Sequence, residues 1–285
     1  MALNNLNIGN VLIIGCGSLG TLIANKLDAV GFCVTGAKRD ISTLPKNLIP
    51  VVIDIHKPET LGGLINEEWS VIIVTLTADN YDQSSYQATY IDGMKNLVMS
   101  FNKEKNNLPL ILFASSTSVY SQKDSEWVTE KSQTKPNHFS GKTMLKAEEI
   151  LSNYQGPYSS VRFSGIYGRN ESRYLSQLKQ GQIVSKKPSY YTNRIHIEDC
   201  ARVFIHLLSM HQYEKKLSPN YVASDCDPAP LYEVMFWLSN KNGIDADTLT
   251  EFIPKYTRGN KRCSNSLLLE TGFKFKYPSY RDGMI

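Results

Sequence analysis

The stretch Asn10–Gly20, NVLIIGCGSLG, admits few folds. The apolar run Val11–Ile14 leads straight into Gly15-Cys16-Gly17-Ser18-Leu19-Gly20, and Leu22, Ile23 and Leu27 then recur near helical spacing towards Val30. A G-x-G-x-x-G turn between a strand and a helix is the context in which that motif binds a dinucleotide. Gly15 permits the turn, Gly17 lets the backbone approach a pyrophosphate, and Gly20 lets helix and strand pack closely. With Ser18 and Leu19 these glycines form the expected cofactor cradle, because the free N–H groups of a helix N-terminus attract phosphate. A glycine-rich turn with no ligand is the alternative reading. The second strand expected at Phe32–Gly36, after Gly31, favours the nucleotide.

Strand and helix signals keep alternating. Strands are expected at Val51–Asp54, Val71–Leu76, Leu110–Ala114 and Tyr158–Phe163, and helices at Pro58–Asn66, Ser84–Lys105 and Phe139–Tyr154. VIIVTL at 71–76 is apolar at its centre, as a parallel sheet buried on both faces requires. In the long helix Tyr86, Tyr90, Met94, Leu97 and Phe101 share one stripe. After Tyr167 the rhythm loosens, with helices expected at Arg173–Gln180, Ile197–His211, Pro230–Asn240 and Asn265–Thr271 and short strands at Arg194–Ile195 and Tyr221–Ala223. The pattern predicts an α/β fold: a Rossmann-type doubly wound parallel sheet over residues 1–168, and a small C-terminal α+β substrate lobe over 169–285, partly interleaved with the sheet and bordered by a cleft.

Composition narrows the function. The net charge of +4 comes without a basic run, so nucleic acid is not an expected partner. No apolar stretch approaches the ~20 residues that span a bilayer, and the N-terminus lacks a signal pattern, so a cytoplasmic protein away from membranes is expected. Cys16, Cys33, Cys200, Cys226 and Cys263 are odd in number and widely spaced, which argues against a disulfide framework or a zinc site. Cys16 lies inside the turn, where the helix end can lower a thiol pKa; a small space-filler is the alternative.

An NAD site places an acid at the end of the second strand to bond the ribose 2′-OH. Here that place reads Ala37-Lys38-Arg39. Two cations suit a 2′-phosphate, so NADP is expected ahead of NAD. A solvated Lys38–Arg39 pair with Asp40 bonding the ribose is the other reading. Asp54, followed by Ile55 at the end of the third strand, is placed to meet the adenine end, unless its carboxylate merely caps the next turn.

Gly15–Gly20, Asp54, Ser115-Ser116-Thr117-Ser118-Val119-Tyr120, Arg162–Gly168 (RFSGIYG) and Arg194–Asp199 (RIHIED) stand in the order found in extended short-chain dehydrogenases/reductases. The chain resembles that family, the NAD(P)-dependent epimerase/dehydratase group, from about residue 10 to 205. Phe139-Ser140-Gly141-Lys142, Asn193–His196 and Gly259–Asn265 give it the texture of an atypical subgroup, the YeeZ-like epimerases. The resemblance implies a catalytic Ser after the fifth strand and a Tyr-x-x-x-Lys at the next helix. Ser116 matches the serine and Lys142 the lysine, which also holds the nicotinamide ribose; the tyrosine position is His138. Ser115 falls among the implied cofactor contacts, and Ser116, Tyr120 and Arg194 among the substrate contacts. An imidazole can act as acid and base near neutral pH, but it is shorter than a phenol, and a residue opening a helix is the plainer role for His138. Family members that bind a nucleotide diphosphate often carry an Arg four residues before the His that is His196 here; that place is Thr192, and Arg194, Arg169 and Arg173 are the candidate anion contacts, with ordinary surface charge as the alternative, more so for Arg173 than for Arg194. Homodimers are common in the family.

Two functions stand side by side. One is an NAD(P)-dependent oxidoreductase or epimerase/dehydratase-like enzyme acting on a small carbonyl or sugar-like substrate, nucleotide sugars included. The other is a non-catalytic NADP-binding sensor or regulator that keeps the fold without the tyrosine. A purely structural interaction protein is a third, weaker reading.

Overall fold

The computed structural model describes residues 9–64, 67–102, 108–169, 173–254 and 259–284 of the chain. Its centre is a seven-stranded parallel sheet with flanking helices. The strands are β1 (Asn10–Ile14), β2 (Cys33–Lys38), β3 (Ile49–Val52), β4 (Val71–Val74), β5 (Leu110–Ser116), β6 (Tyr158–Phe163) and β7 (Asn220–Ala223), ordered β7-β6-β5-β4-β1-β2-β3. The order reverses at β1, which pairs with β2 on one side and β4 on the other. Ligands of such sheets bind at this switch point, outside the carboxyl ends of the strands.

Apolar runs explain the central strands. Val11–Ile13, Ile72–Val74 and Leu110–Phe113 are wholly inaccessible, as strands covered on both faces must be. The edge strand β3 is different: Ile49 and Val52 are half exposed, and Pro50 lies within it. A proline at an edge removes a donor that no neighbour needs.

The principal helices are α1 (Ser18–Asp28), α2 (Gly93–Phe101), α3 (Phe139–Leu151) and α4 (Ile197–Gln212). The single long helix expected over 84–105 is instead three pieces: an α turn at Gln83–Tyr86, a π turn at Gln87–Asp92 and then α2. The expected stripe survives the interruption, since Tyr90, Met94, Leu97 and Phe101 are all buried. The helix expected at 58–66 is a 3₁₀ segment, Pro58–Leu64. Its last two positions and Lys103–Lys105 lie outside the described residues. The third strand begins and ends two residues before its expected bounds, and the fourth stops at Val74.

By contact the chain forms two compact units. One comprises residues up to Val119, Asn137–Arg162 and Ala201–Tyr221; the other comprises Tyr120–Pro136, Phe163–Cys200 and the residues from Val222 onward. The second unit holds two-residue and three-residue ladders, including Gly165–Tyr167 beside Arg194–His196 and Glu126–Val128 beside Lys261–Cys263. Its core gathers Leu178, Ile183, Val234, Met235, Leu238 and Tyr280. Among the described residues no helix is long and apolar enough to cross a membrane, and all five cysteines are free thiols.

Candidate functional site

In the first unit the turn after β1 has the geometry its glycines imply. Gly15 has φ +95°, and a Cβ there would stand 2.9 Å from backbone atoms of Thr75 and Leu76. Gly20 is closed in the same way, by the Gly15 carbonyl and Thr75 Oγ1, which itself donates to that carbonyl at 2.8 Å. Gly17 is the opposite case. Nothing lies within 4 Å of where its Cβ would be, and its backbone is extended. Gly17 also caps α1 without a side-chain bond, and no acid occupies the first turn of that helix. The first N–H groups of α1 therefore keep their positive end for an anion. An open backbone face beside an uncapped helix end is what a phosphate bridge requires.

A cavity of about 320 Å³ opens on this turn. Its wall brings together Gly15, Gly17, Lys38, Arg39, Asp54 and Ile55. Leu19 and Gly20 are buried beneath the turn, and Ser18 is exposed. Sequence reasoning missed Asp79 on the same wall. Arg39 makes a two-pronged pair with it, Nη1 donating to Oδ2 at 2.8 Å and Nη2 to Oδ1. The hydrogen bond holds the Asp79 carboxyl below its ordinary range and raises the guanidinium further. Lys38 Nζ donates to Thr43 Oγ1 at 2.6 Å. Asp40 accepts from the backbone N–H and the hydroxyl of Ser42, which lowers its pKa. Asp54 accepts from the His56 N–H at 3.1 Å, the turn-capping role left open above. The signal for Asp79 was its position five residues past a parallel strand, at the carboxyl edge where ligands gather.

Of the two readings of Cys16, the structure favours the space-filler. Its thiol is 3% exposed, bonds the Ile13 carbonyl, and is pushed up to about 11 by burial. Desolvation outweighs the lowering by the Ala37 backbone and by Lys38, and the cysteine packs against Gly36 as a space-filler.

The residues matched to the family's catalytic set lie near α3 and the end of β5. His138 is the N-cap of α3: its Nδ1 accepts from the Ser140 N–H at 3.3 Å and meets Ser140 Oγ at 2.9 Å. An accepting Nδ1 places the ring proton on Nε2 in the neutral tautomer. Tyr81, also unread in the sequence, lays its ring nearly parallel to His138, with its hydroxyl 3.4 Å from Nδ1. Lys142 follows one helical turn later and is exposed. Ser116 Oγ accepts from the Ser118 N–H at 3.1 Å, which leaves its own proton to donate. Ser115 is buried and turned elsewhere: its hydroxyl donates to Glu148 Oε1 at 2.5 Å, and Glu148 pairs with buried Arg162. In the second unit Tyr120 is fully enclosed and donates to the Thr129 carbonyl at 2.9 Å. Arg194 is 3% exposed, with its Nε 3.9 Å from Asp225 Oδ2.

Comparison with known proteins agrees with the fold. The model of the RmlD substrate binding domain family matches residues 9–212. Protein YeeZ of Escherichia coli K12 is 24% identical, over 94% of this chain and 96% of its own. A Methylobacillus flagellatus protein provisionally assigned as an NAD-dependent epimerase/dehydratase is 30% identical, with a TM-score of 0.80 over 97% of this chain and 96% of its own. The Bordetella bronchiseptica enzyme WbmG, solved in complex with NAD and UDP, shares the fold at 17% identity and a TM-score of 0.79, over 97% and 93% of the two chains.

Proposed function

The chain belongs to the RmlD substrate binding domain family, within the extended short-chain dehydrogenases/reductases, and from that premise we propose an NADP(H)-binding, epimerase/dehydratase-like enzyme or reductase acting on a carbonyl or sugar-like substrate. The observation that carries this reading is one cavity wall holding the open face of Gly17, the uncapped start of α1, and the cations Lys38 and Arg39. The cradle fits the phosphate bridge of a dinucleotide, and the bound nicotinamide supplies hydride exchange. WbmG, solved with NAD and UDP, supports a nicotinamide cofactor and a nucleotide-linked substrate class for such a fold.

Each residue has a defined task in this reading. Gly15 and Gly20 hold the turn against Thr75. Lys38 and Arg39 receive the 2′-phosphate. The Arg39–Asp79 pair is about half exposed on both sides, so it is worth at most about 1 kcal/mol and yields to a dianion. Ser116 donates its free proton to a substrate oxygen. Lys142 supplies a cation beside the nicotinamide ribose, and His138 offers Nε2–H where the family has a phenol.

Calorimetry on the purified protein tests the cofactor. NADPH should bind more tightly than NADH, and Arg39→Gln should weaken NADPH about tenfold while moving NADH little, as loss of one two-pronged phosphate contact implies. Absence of heat with either nucleotide at millimolar concentration would end the proposal. His138 serving as a helix cap supports the second reading, a cofactor sensor without turnover. Oxidation of NADPH by a carbonyl in a broad panel, lost in Lys142→Ala, decides for the enzyme; silence across the panel decides for the sensor.

A further inference from the structure

Arg39 and Asp79 stand 40 residues apart in the chain and meet at the cavity on the glycine turn. Arg39 follows β2 and Asp79 lies five residues past β4. These two strands flank β1, so the pair ties the loops on either side of the turn. The two side chains are 54% and 46% exposed, open to whatever enters the cavity. Two further carboxylates share the wall, Asp40 and Asp54, and each is engaged in its own turn. Asp40 Oδ1 accepts from the N–H and hydroxyl of Ser42, and Asp54 Oδ1 accepts from the His56 N–H. Asp79 instead faces the cation that stands where an NAD site has its acid.

That contact does two things. It fills the guanidinium fork, the same geometry that a phosphate uses. It also leaves the carboxylate with capacity: of its roughly four lone-pair sites, the two prongs take only half. Arg39 holds the Asp79 carboxyl below its ordinary range, so it is ionised at neutral pH. An incoming phosphate therefore finds its arginine already paired with an anion. An incoming hydroxyl finds an ionised acceptor.

We propose that Asp79 sets the coenzyme preference of this site: it competes with a 2′-phosphate for Arg39, and it accepts the ribose 2′-hydroxyl when that phosphate is absent. The inference rests on the cofactor reading above and deepens it. With NADPH, Arg39 leaves Asp79 for the dianion, and the carboxylate stays nearby as a like charge. With NADH the pair remains closed, and Asp79 supplies from β4 the acid that the end of β2 lacks. A half-exposed ion pair is weak enough to open for the stronger ligand. A plain tie between two loops is the competing account. Cutting such a tie would cost melting temperature and leave the coenzyme preference where it was.

Calorimetry on the full chain with NADPH and NADH separates the two accounts. Asp79→Asn keeps the size of the side chain and removes its charge. It should tighten NADPH about fivefold, as loss of a competing surface pair implies. It should weaken NADH about fivefold, as a neutral acceptor in place of a charged one implies, so the preference for NADPH rises at least about tenfold. Its melting temperature should stay near the parent's. In an Arg39→Gln background the NADPH gain should shrink to about twofold or less, because no fork remains to be freed. A parent that binds, with a preference unmoved by Asp79→Asn, overturns this inference and leaves the cofactor reading standing. So does an equal NADPH gain without Arg39, or a loss of NADH affinity in Asp40→Asn in place of Asp79→Asn. A parent that binds neither nucleotide ends both.

Discussion

Gly15 and Gly17 are two residues apart and obey different constraints. At Gly15 an alanine would carry φ +95° and press its Cβ on backbone that has no freedom to retreat. Gly15→Ala should therefore destabilise the protein by about 2–3 kcal/mol, read from denaturant unfolding. At Gly17 an alanine would meet open space with ordinary dihedrals. Gly17→Ala should leave unfolding within about 0.5 kcal/mol of the parent and weaken NADPH binding about tenfold or more, because its methyl would stand where a pyrophosphate approaches. If Gly17→Ala bound NADPH as the parent does, the phosphate would have to lie elsewhere. The same contrast shows what a sequence can say about a residue. The glycine spacing was readable because all three glycines fall within six residues between a strand and a helix, even though Thr75, which closes on Gly15 and Gly20, follows the distant strand β4. Asp79 was not, since it meets Arg39 only once β2 and β4 flank β1. The two readings of the Cys16 thiol could not be decided in the sequence for a related reason: it packs beside Gly36, on the next strand.

Elements were legible where one physical pattern ran long enough. Continuous apolar runs gave β1, β4 and β5, and helical spacing gave α1 and α3. The π turn at Gln87–Asp92 escaped because it shifts the backbone without disturbing the apolar stripe. Apart from the strand at Arg194–Ile195, the ladders of the second unit escaped because two or three residues cannot show a period. One cross-element device was equally invisible. Ser115 on β5, Glu148 on α3 and Arg162 on β6 form a buried chain of charge-assisted bonds, with Arg162 Nη2 2.6 Å from Glu148 Oε2. Glu148→Gln takes the counter-charge from a buried guanidinium and should cost about 3–5 kcal/mol. Ser115→Ala removes one donor from a carboxylate that keeps its arginine and should cost about 1–1.5 kcal/mol. Denaturant titrations of both variants check the ranking; equal costs would mean that the ion pair does not carry the contact.

For the whole molecule, the pH dependence of stability separates opposing groups. Asp225 is raised from 3.8 to about 7 by burial in the folded chain. It binds its proton more tightly folded than unfolded, so its stabilising effect is full below about pH 4 and is lost as pH rises towards 7. His196 and His211 act the other way. Burial lowers both below 6.5, so their contribution is full above that value and is lost as pH falls through their folded values. The groups facing His196 temper its part: Asp199 and Glu198 favour its charge, and Lys276 opposes it. Between pH 5 and 7 the slopes therefore oppose each other. Asp225→Asn removes the acid's slope and keeps an oxygen for the Asp227 N–H, which Asp225 Oδ1 accepts at 3.2 Å. Its unfolding free energy should climb from pH 5 to 7 under the histidines alone. The difference, parent minus variant, should fall over the same interval by an amount on the order of 1.4 kcal/mol per pH unit at most. A difference that stayed flat would show that Asp225 is already ionised at pH 5, and with it that Arg194 is fully neutralised from behind.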